Sequence, residues 1–282
     1  CCRRGQNAPH LFTPDIDRIR RIYHPKKGII KKKFSNMTII RAVFFDLGKT
    51  LLYPNVPWHD VYLRAHKALA NSLIAQDITI DARTFPYEFA DCLNRYYVDR
   101  ETTLRETGTM RLLKNLLNEK GYRDAPLPNL RIALDAFYAI TQNNWLLEED
   151  AHSTLRALQL NDYKLALLSN AADDSDVQSL LDKNNLRHYF SFIRSSAASG
   201  YRKPHRQLFD EALRDLNLFP EQCIMVGDTL NADIEGANKI GIYSVWINRR
   251  VNKTTKTLVD IRPKATIQEL GALPRLVLEV SG

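Results

Sequence analysis

Several residues stand where the chain could do chemistry. Asp46 closes the apolar run TIIRAVFF, Ser169-Asn170 closes KLALLSN, and Gly227-Asp228 closes CIMVGD. Asp233 follows Asp228 by five residues, and Lys203 sits in GYRKPH beside a proline. A strand can end on a polar residue merely because it leaves the core, so any one of these ends says little. Three ends, two of them carrying aspartates, say more, because ligands of open parallel sheets gather at the carboxyl ends of strands. Two carboxylates at one sheet edge repel each other unless a cation lies between them. Two oxygen ligands with open positions suit Mg2+, a hard cation that keeps several waters and accepts phosphate oxygens. Asp233 could orient a metal-bound water or stabilise the start of the helix ADIEGANKIG. Lys203, taken alone, reads as a solvated loop lysine.

The elements that must position these residues follow from periodicity. TIIRAVFF (38–45), KLALLSN (164–170), CIMVGD (223–228) and YSVWIN (243–248) are short, continuous apolar runs and predict buried strands. DSDVQSLLDKNNL, PHRQLFDEALRDLN and ADIEGANKIG lie between or beside them with helical spacing. Strands alternating with helices predict an α/β fold: a Rossmann-like parallel sheet with helices on both faces. Between Trp58 and about Asn144 the pattern is helical throughout, as in VYLRAHKALANSLIA and MRLLKNLLNEKGY. The expected organisation is a discontinuous core, residues 37–56 and 146–282, with a helical cap inserted at 57–145. Tyr96, Tyr97 and Arg100 in RYYVDR could face a closed site, but packing inside the cap is the favoured reading.

FDLGKTLL (45–52), LLSNA (167–171), GYRKPHRQLF (200–209) and VGDTLNADIEGANKIG (226–241) together resemble the four ordered motifs of the haloacid dehalogenase-like (HAD) hydrolases. The resemblance runs from about Thr38 to the C-terminus, and the helical insert is similar to the C1-type cap of that family. It implies a Mg2+-dependent phosphatase acting on a small phosphorylated metabolite. Asp46 would be the nucleophile that forms an aspartyl-phosphate, with Thr50 supporting its loop. Ser169 and the Asn170 region would bind phosphoryl oxygens beside Thr50, and Lys203 would neutralise charge on nucleophile and phosphoryl group. Asp46, the backbone carbonyl of Gly48 and Asp228 would hold Mg2+, supported by Asp233.

One position departs from the family pattern. Phosphatases of this kind usually read D-x-D, the second aspartate protonating the leaving oxygen and then activating water; here that residue is Gly48. General acid–base help is worth ~10²–10⁴-fold, so alcohol leaving groups should suffer most. Lys49 is cationic and a poor base, and His59 is a weak candidate to substitute. Two alternatives follow. Dehalogenases and phosphonatases of the family also lack the second aspartate, although phosphonatases need a Schiff-base lysine in the cap, where Lys67, Lys114 and Lys120 are available. A catalytically impaired interaction protein that keeps the fold is the other.

Composition bounds the rest. The net charge of +8 lies in residues 1–36, with ten Lys/Arg against Asp15 and Asp17, whereas the remainder balances 30 basic against 30 acidic residues. A nucleic-acid groove across the body therefore has no support, and residues 1–36 read as a basic, disordered extension upstream of a domain starting at Met37, with a nucleic-acid or membrane-surface arm or a targeting segment as the alternatives. It lacks the apolar stretch of a secretory signal, and no run reaches the ~18 apolar residues of a membrane span. Four cysteines without metal-ligand spacing favour a reducing compartment, so a cytoplasmic location is expected. Nothing in the sequence fixes an oligomeric state.

Overall fold

The computed structural model describes residues 39–250 and 260–281; the basic segment 1–36 and its expected disorder lie outside the described residues. Six strands form one sheet: β1 (Ala42–Phe45), β4 (Lys164–Ser169), β5 (Phe192–Ser195), β6 (Cys223–Gly227), β7 (Tyr243–Ile247) and β8 (Ala265–Ile267). Their order is β5-β4-β1-β6-β7-β8, and every neighbouring pair is parallel. The register pairs Phe45 with Leu167 on one side and with Val226 on the other, so Asp46, Ser169 and Asp228 leave the same sheet edge. β1 is shorter than the expected 38–45, because Ile39, Ile40 and Arg41 precede the ladder.

Parallel strands are apolar throughout because both faces are covered. Val43, Phe45, Leu165, Leu167, Ile224 and Val226 point into one cluster with α5 (Ala151–Leu160), α6 (Asp174–Lys183) and α10 (Leu273–Ser281). Ala42, Phe44, Ala166, Leu168 and Met225 point into the other, with α8 (Gln207–Leu216) and α9 (Glu235–Ile240). Each fully buried large side chain among them contributes roughly 1.5–3 kcal/mol. Cys223, a small apolar side chain, is fully buried in β6. α8 starts three residues after Pro204, since its first helical bond runs from the Asp210 N–H to the Arg206 carbonyl. The helix expected from Ala232 begins instead as a π-helical turn, Leu230–Ile234, which continues into α9.

Between β1 and β4 the chain builds α1 (Trp58–Ile74), α2 (Phe85–Thr103), α3 (Thr109–Glu119) and α4 (Leu127–Gln142). These four helices bury a cluster of their own, including Leu69, Leu73, Phe85, Phe89, Leu113, Leu117, Leu130 and Leu134. The chain enters them through β2 (Leu52–Pro54) and returns through β3 (Trp145–Leu147), which pair antiparallel. The α2–α3 connection also reaches the sheet side. The Arg202 N–H donates to the Leu104 carbonyl at 3.0 Å, the Glu106 N–H to the Gly200 carbonyl at 3.0 Å, and the Thr109 N–H to the Ala172 carbonyl at 2.8 Å. Among the described residues, no helix is long and apolar enough to cross a membrane.

Candidate active site

Lys203 is the hub. Its side chain is buried, 1% exposed, and its ammonium donates to Asp46 Oδ1 at 2.8 Å and to the Leu168 carbonyl at 2.5 Å. The same nitrogen lies 2.7 Å from Asp233 Oδ1. A loop lysine would not be drawn inside without such partners, because an unpaired buried charge costs several kcal/mol. Asn170 sets its position: the side-chain amide donates to the Lys203 carbonyl at 3.0 Å while its oxygen accepts from the Lys203 N–H at 2.8 Å. Both ends of that amide are therefore spent on the lysine backbone. Although burial pulls the ammonium down, Asp233 and Asp46 hold it above its usual value.

Around the lysine, Asp46, Asp228 and Asp233 each present a carboxylate oxygen within 4.8 Å of the others. Burial pushes Asp228 up to about 6, with the Asp46 charge adding to it. Burial also pushes Asp233 up to about 7, a rise that Lys203 opposes and Asp46 reinforces. Thr50 Oγ1 donates to Asp46 Oδ2 at 3.3 Å, and the Asp46 N–H donates to the Val226 carbonyl at 3.0 Å, so the nucleophile candidate is held from both sides. Asp233 Oδ2 accepts from the Thr229 N–H at 3.0 Å, which joins helix stabilisation and site geometry in one residue. A Cβ on Gly227 would meet that carboxylate at 2.3 Å, so only glycine lets Asp233 close on the strand end. Asp233 Oδ1, buried beside the ammonium, has no well-directed hydrogen bond of its own. A surplus of close carboxylate oxygens with an unfilled lone pair fits a hard divalent cation such as Mg2+.

A cavity of about 750 Å³ opens above these groups and carries Asp46, Gly48, Ser169, Asn170, Lys203, Asp228 and Asp233 on its wall. The helical insert supplies Trp58, Tyr62, Tyr97, Arg100 and Tyr138, and the sheet side adds Trp145, Asp176 and Arg202. Sequence reasoning favoured packing for Tyr96, Tyr97 and Arg100; the structure corrects this for Arg100, while Tyr97 packs on the insert's core and lines the cavity as well. Tyr96 is buried and hydrogen-bonded to Glu106, whereas Tyr97 and Arg100 face the cavity. Trp145 was missed: it lies over Gly48, where an added Cβ would stand 3.2 Å from its ring. Asp176, also missed, accepts from the Gln142 amide at 2.9 Å, and burial pushes its carboxyl up to about 7. Lys49 lines the cavity in a left-handed conformation with φ 59°. His59 is exposed and lines a separate pocket of about 330 Å³ within the insert. None of Lys67, Lys114 and Lys120 lines the main cavity, which leaves a Schiff-base lysine without a candidate among them.

Comparison with known proteins places this geometry in context. The family described as haloacid dehalogenase-like hydrolase matches residues 40–241. A ribulose-1,5-bisphosphate 5-phosphatase of Halopiger xanaduensis is 32% identical over 211 residues, covering 72% of this chain and 83% of that protein. A glyceraldehyde 3-phosphate phosphatase of Methanothermobacter thermautotrophicus is 31% identical over 108 residues; the match covers 38% of this chain and 47% of that protein. This chain thus spans about half the length of that relative. Among solved structures, a 2-haloacid dehalogenase from Pseudomonas syringae superposes with a TM-score of 0.62 at 23% identity, covering 86% of this chain and 99% of that one. That likeness is one of fold.

Proposed function

This chain belongs to the haloacid dehalogenase-like hydrolase family, and from that premise we propose that it is a Mg2+-dependent phosphatase of a small phosphorylated metabolite, with Asp46 as nucleophile. The observation that carries the reading is the buried ammonium of Lys203 held against both Asp46 and Asp233, with Asp228 beside them, in one cavity. Its volume of about 750 Å³ lies in the range of small-molecule sites, ~300–1,000 Å³. Relatives that act on glyceraldehyde 3-phosphate and ribulose 1,5-bisphosphate support a substrate of that size.

In this reading a carboxylate oxygen of Asp46 attacks phosphorus, and the ester oxygen leaves with the bonding pair. Water then attacks the same phosphorus, releasing phosphate and returning Asp46 to its carboxylate. Lys203 pairs with the Asp46 carboxylate and offsets charge that gathers on the phosphoryl oxygens, which is where phosphoryl transfer needs help most. The Ser169 hydroxyl and the backbone at Asn170 would bind those oxygens, and Thr50 fixes the rotamer of Asp46. Asp46, the Gly48 carbonyl and Asp228 would hold Mg2+, with Asp233 behind them. When bound, the ion supplies positive charge to the transferring group. Helices α1–α4 act as the cap, and Tyr62, Tyr97 and Tyr138 close over the substrate.

Gly48 gives the leaving oxygen no proton donor, so turnover favours substrates whose leaving group is stable as an anion. The test is phosphate release with and without Mg2+ over aryl, acyl and alkyl phosphates, with Asp46→Asn as the blank. Mg2+-dependent release that falls from acyl to alkyl substrates and vanishes in the variant is expected. Release of halide or aldehyde from matching substrates, with no phosphatase activity, would move the protein to the other chemistries of the family.

A further inference from the structure

Two guanidinium groups share the cavity with the nucleophile, and the proposed phosphatase chemistry uses neither. Arg202 precedes the lysine hub in sequence, and its side chain is 11% exposed; Arg100 comes from α2 of the insert, with 18% exposure. Both turn toward a single fully buried carboxylate, Glu106. Arg100 Nη1 lies 3.4 Å from Glu106 Oε1, and Arg202 Nη1 lies 3.8 Å from Oε2. Glu106 is already in demand: the Tyr96 hydroxyl donates to Oε1, and the Ser196 hydroxyl donates to Oε2 at 2.6 Å. Glu101 Oε1 lies 3.3 Å from Arg202 Nη2 and stands off from Arg100 Nε at 3.9 Å, beyond hydrogen-bond distance, and it is 56% exposed and solvated.

The donor count therefore exceeds the acceptors. Arg100 Nε and Arg202 Nη1 are buried without a hydrogen-bond partner among the described residues. Native proteins rarely leave charged donors in that state, since an unmet buried donor costs ~1–3 kcal/mol or more. Burial and the nearby Arg100 charge also push the Arg202 guanidinium below its usual value, a sign that the two cations crowd each other. Arg100 is not free to swing away. Its guanidinium stacks 4.1 Å from the centre of the Tyr97 ring, itself a cavity wall. Glu106 and Arg202 are tied together through the backbone bridge between residues 104–106 and 200–202.

We infer that Arg100 and Arg202 form a subsite for a second anionic group of the substrate, a carboxylate or a second phosphate, distinct from the phosphoryl group that Asp46 attacks. The inference deepens the phosphatase reading and rests on it. Planar guanidiniums suit carboxylate and phosphate alike because both accept paired N–H donors. The substrate class is then a phosphorylated acid or a bisphosphate, rather than a neutral sugar phosphate.

Selectivity within one protein sample tests this, because a ratio of two kcat/KM values is unaffected by a misfolded fraction. The probes are 3-phosphoglycerate against glycerol 3-phosphate, and fructose 1,6-bisphosphate against fructose 6-phosphate. The native chain should prefer the doubly anionic member of at least one pair; which pair distinguishes carboxylate from phosphate. Arg100→Gln should cut that preference by ~10–100-fold, as expected for losing a charged hydrogen bond, and Arg100→Lys should restore part of it. Both members of each pair are titrated by calorimetry onto the Asp46→Asn protein with Mg2+, so that binding is read without turnover. Turnover with no preference in the native chain, or an Arg100→Gln variant that loses both members of a pair equally, overturns the subsite and leaves the phosphatase reading intact. A preference in Kd that Arg100→Gln abolishes, in a native chain that releases no phosphate from acyl or aryl phosphates either, supports the subsite and sinks the phosphatase reading instead. Equal Kd values for both members of each pair, together with no phosphate release from acyl or aryl phosphates, overturn both.

Discussion

Replacing Lys203 by methionine nearly preserves the shape of the side chain while removing the ammonium that touches Asp46 and Asp233. The Asp233 side chain is 1% exposed and that of Asp46 11%, so neither can recover its full hydration by a small movement. Breaking a buried ion pair from one side costs ~3–5 kcal/mol, mostly through the charge left behind. For a folded body of this size, each kcal/mol shifts Tm by ~2–4 °C, so Lys203→Met should melt roughly 6–20 °C below the native protein. The loss should be larger at pH 8 than at pH 6, because Asp233, which burial already pushes up to about 7, escapes part of the cost by taking up a proton. Adding Asp233→Asn removes one of the stranded charges and should recover part of the stability. Thermal and denaturant unfolding at both pH values, followed by circular dichroism, measure all of this. If Lys203→Met unfolds with the native midpoint, or if the added Asp233→Asn lowers stability further, the lysine is not the electrostatic centre of the site.

Other perturbations give equally definite outcomes. Gly48→Asp alone should add less than ~10-fold to kcat/KM on alkyl phosphates, because the new side chain meets Trp145 at 3.2 Å and overpacking costs ~1–3 kcal/mol. Combined with Trp145→Leu, it should approach the ~10²-fold of a working general acid; a full gain from the single change refutes the steric argument. His66 is held down to about 4 by burial, so its contribution is complete above pH 6.5 and is lost as pH falls toward 4, up to ~3 kcal/mol. Unfolding free energies of His66→Phe should show a flatter slope across that window. Asp176 behaves oppositely, since its folded value of about 7 exceeds its unfolded value: stability declines as pH rises from 4 to 7, by at most ~4 kcal/mol. Asp176→Asn, which can still accept from Gln142, should remove that decline; an unchanged pH slope would show that the carboxyl is not desolvated.

The chemistry of the site was legible in the sequence wherever a residue type and a strand end coincided. Asp46, Ser169 and Asp228 could be placed because β1, β4 and β6 are continuous apolar runs, a pattern that parallel strands buried on both faces must have. β2, β3 and β8 are three-residue strands, too short for periodicity to register, so the ribbon through which the helical insert leaves and returns was not foreseen. Helical spacing identified the insert but could not orient RYYVDR, where Tyr96 turns inward while its neighbour Tyr97 and the later Arg100 meet the cavity. Arg202 was hidden by its position: beside Lys203 it reads as one more basic loop residue until the backbone bridge to Leu104 brings it under the insert. Gly48 carried a visible absence, a missing carboxylate. The reason it is tolerated sterically, the Trp145 ring lying against it, comes from a residue nearly a hundred positions away.

Acid quenching during turnover with Mg2+ and an acyl or aryl phosphate, followed by mass spectrometry of the peptide that carries Asp46, tests the central claim most directly. A phosphoryl group on that peptide, absent from Asp46→Asn and absent without Mg2+, is the predicted result. Steady phosphate release with no adduct on Asp46, and undiminished in Asp46→Asn, would contradict it.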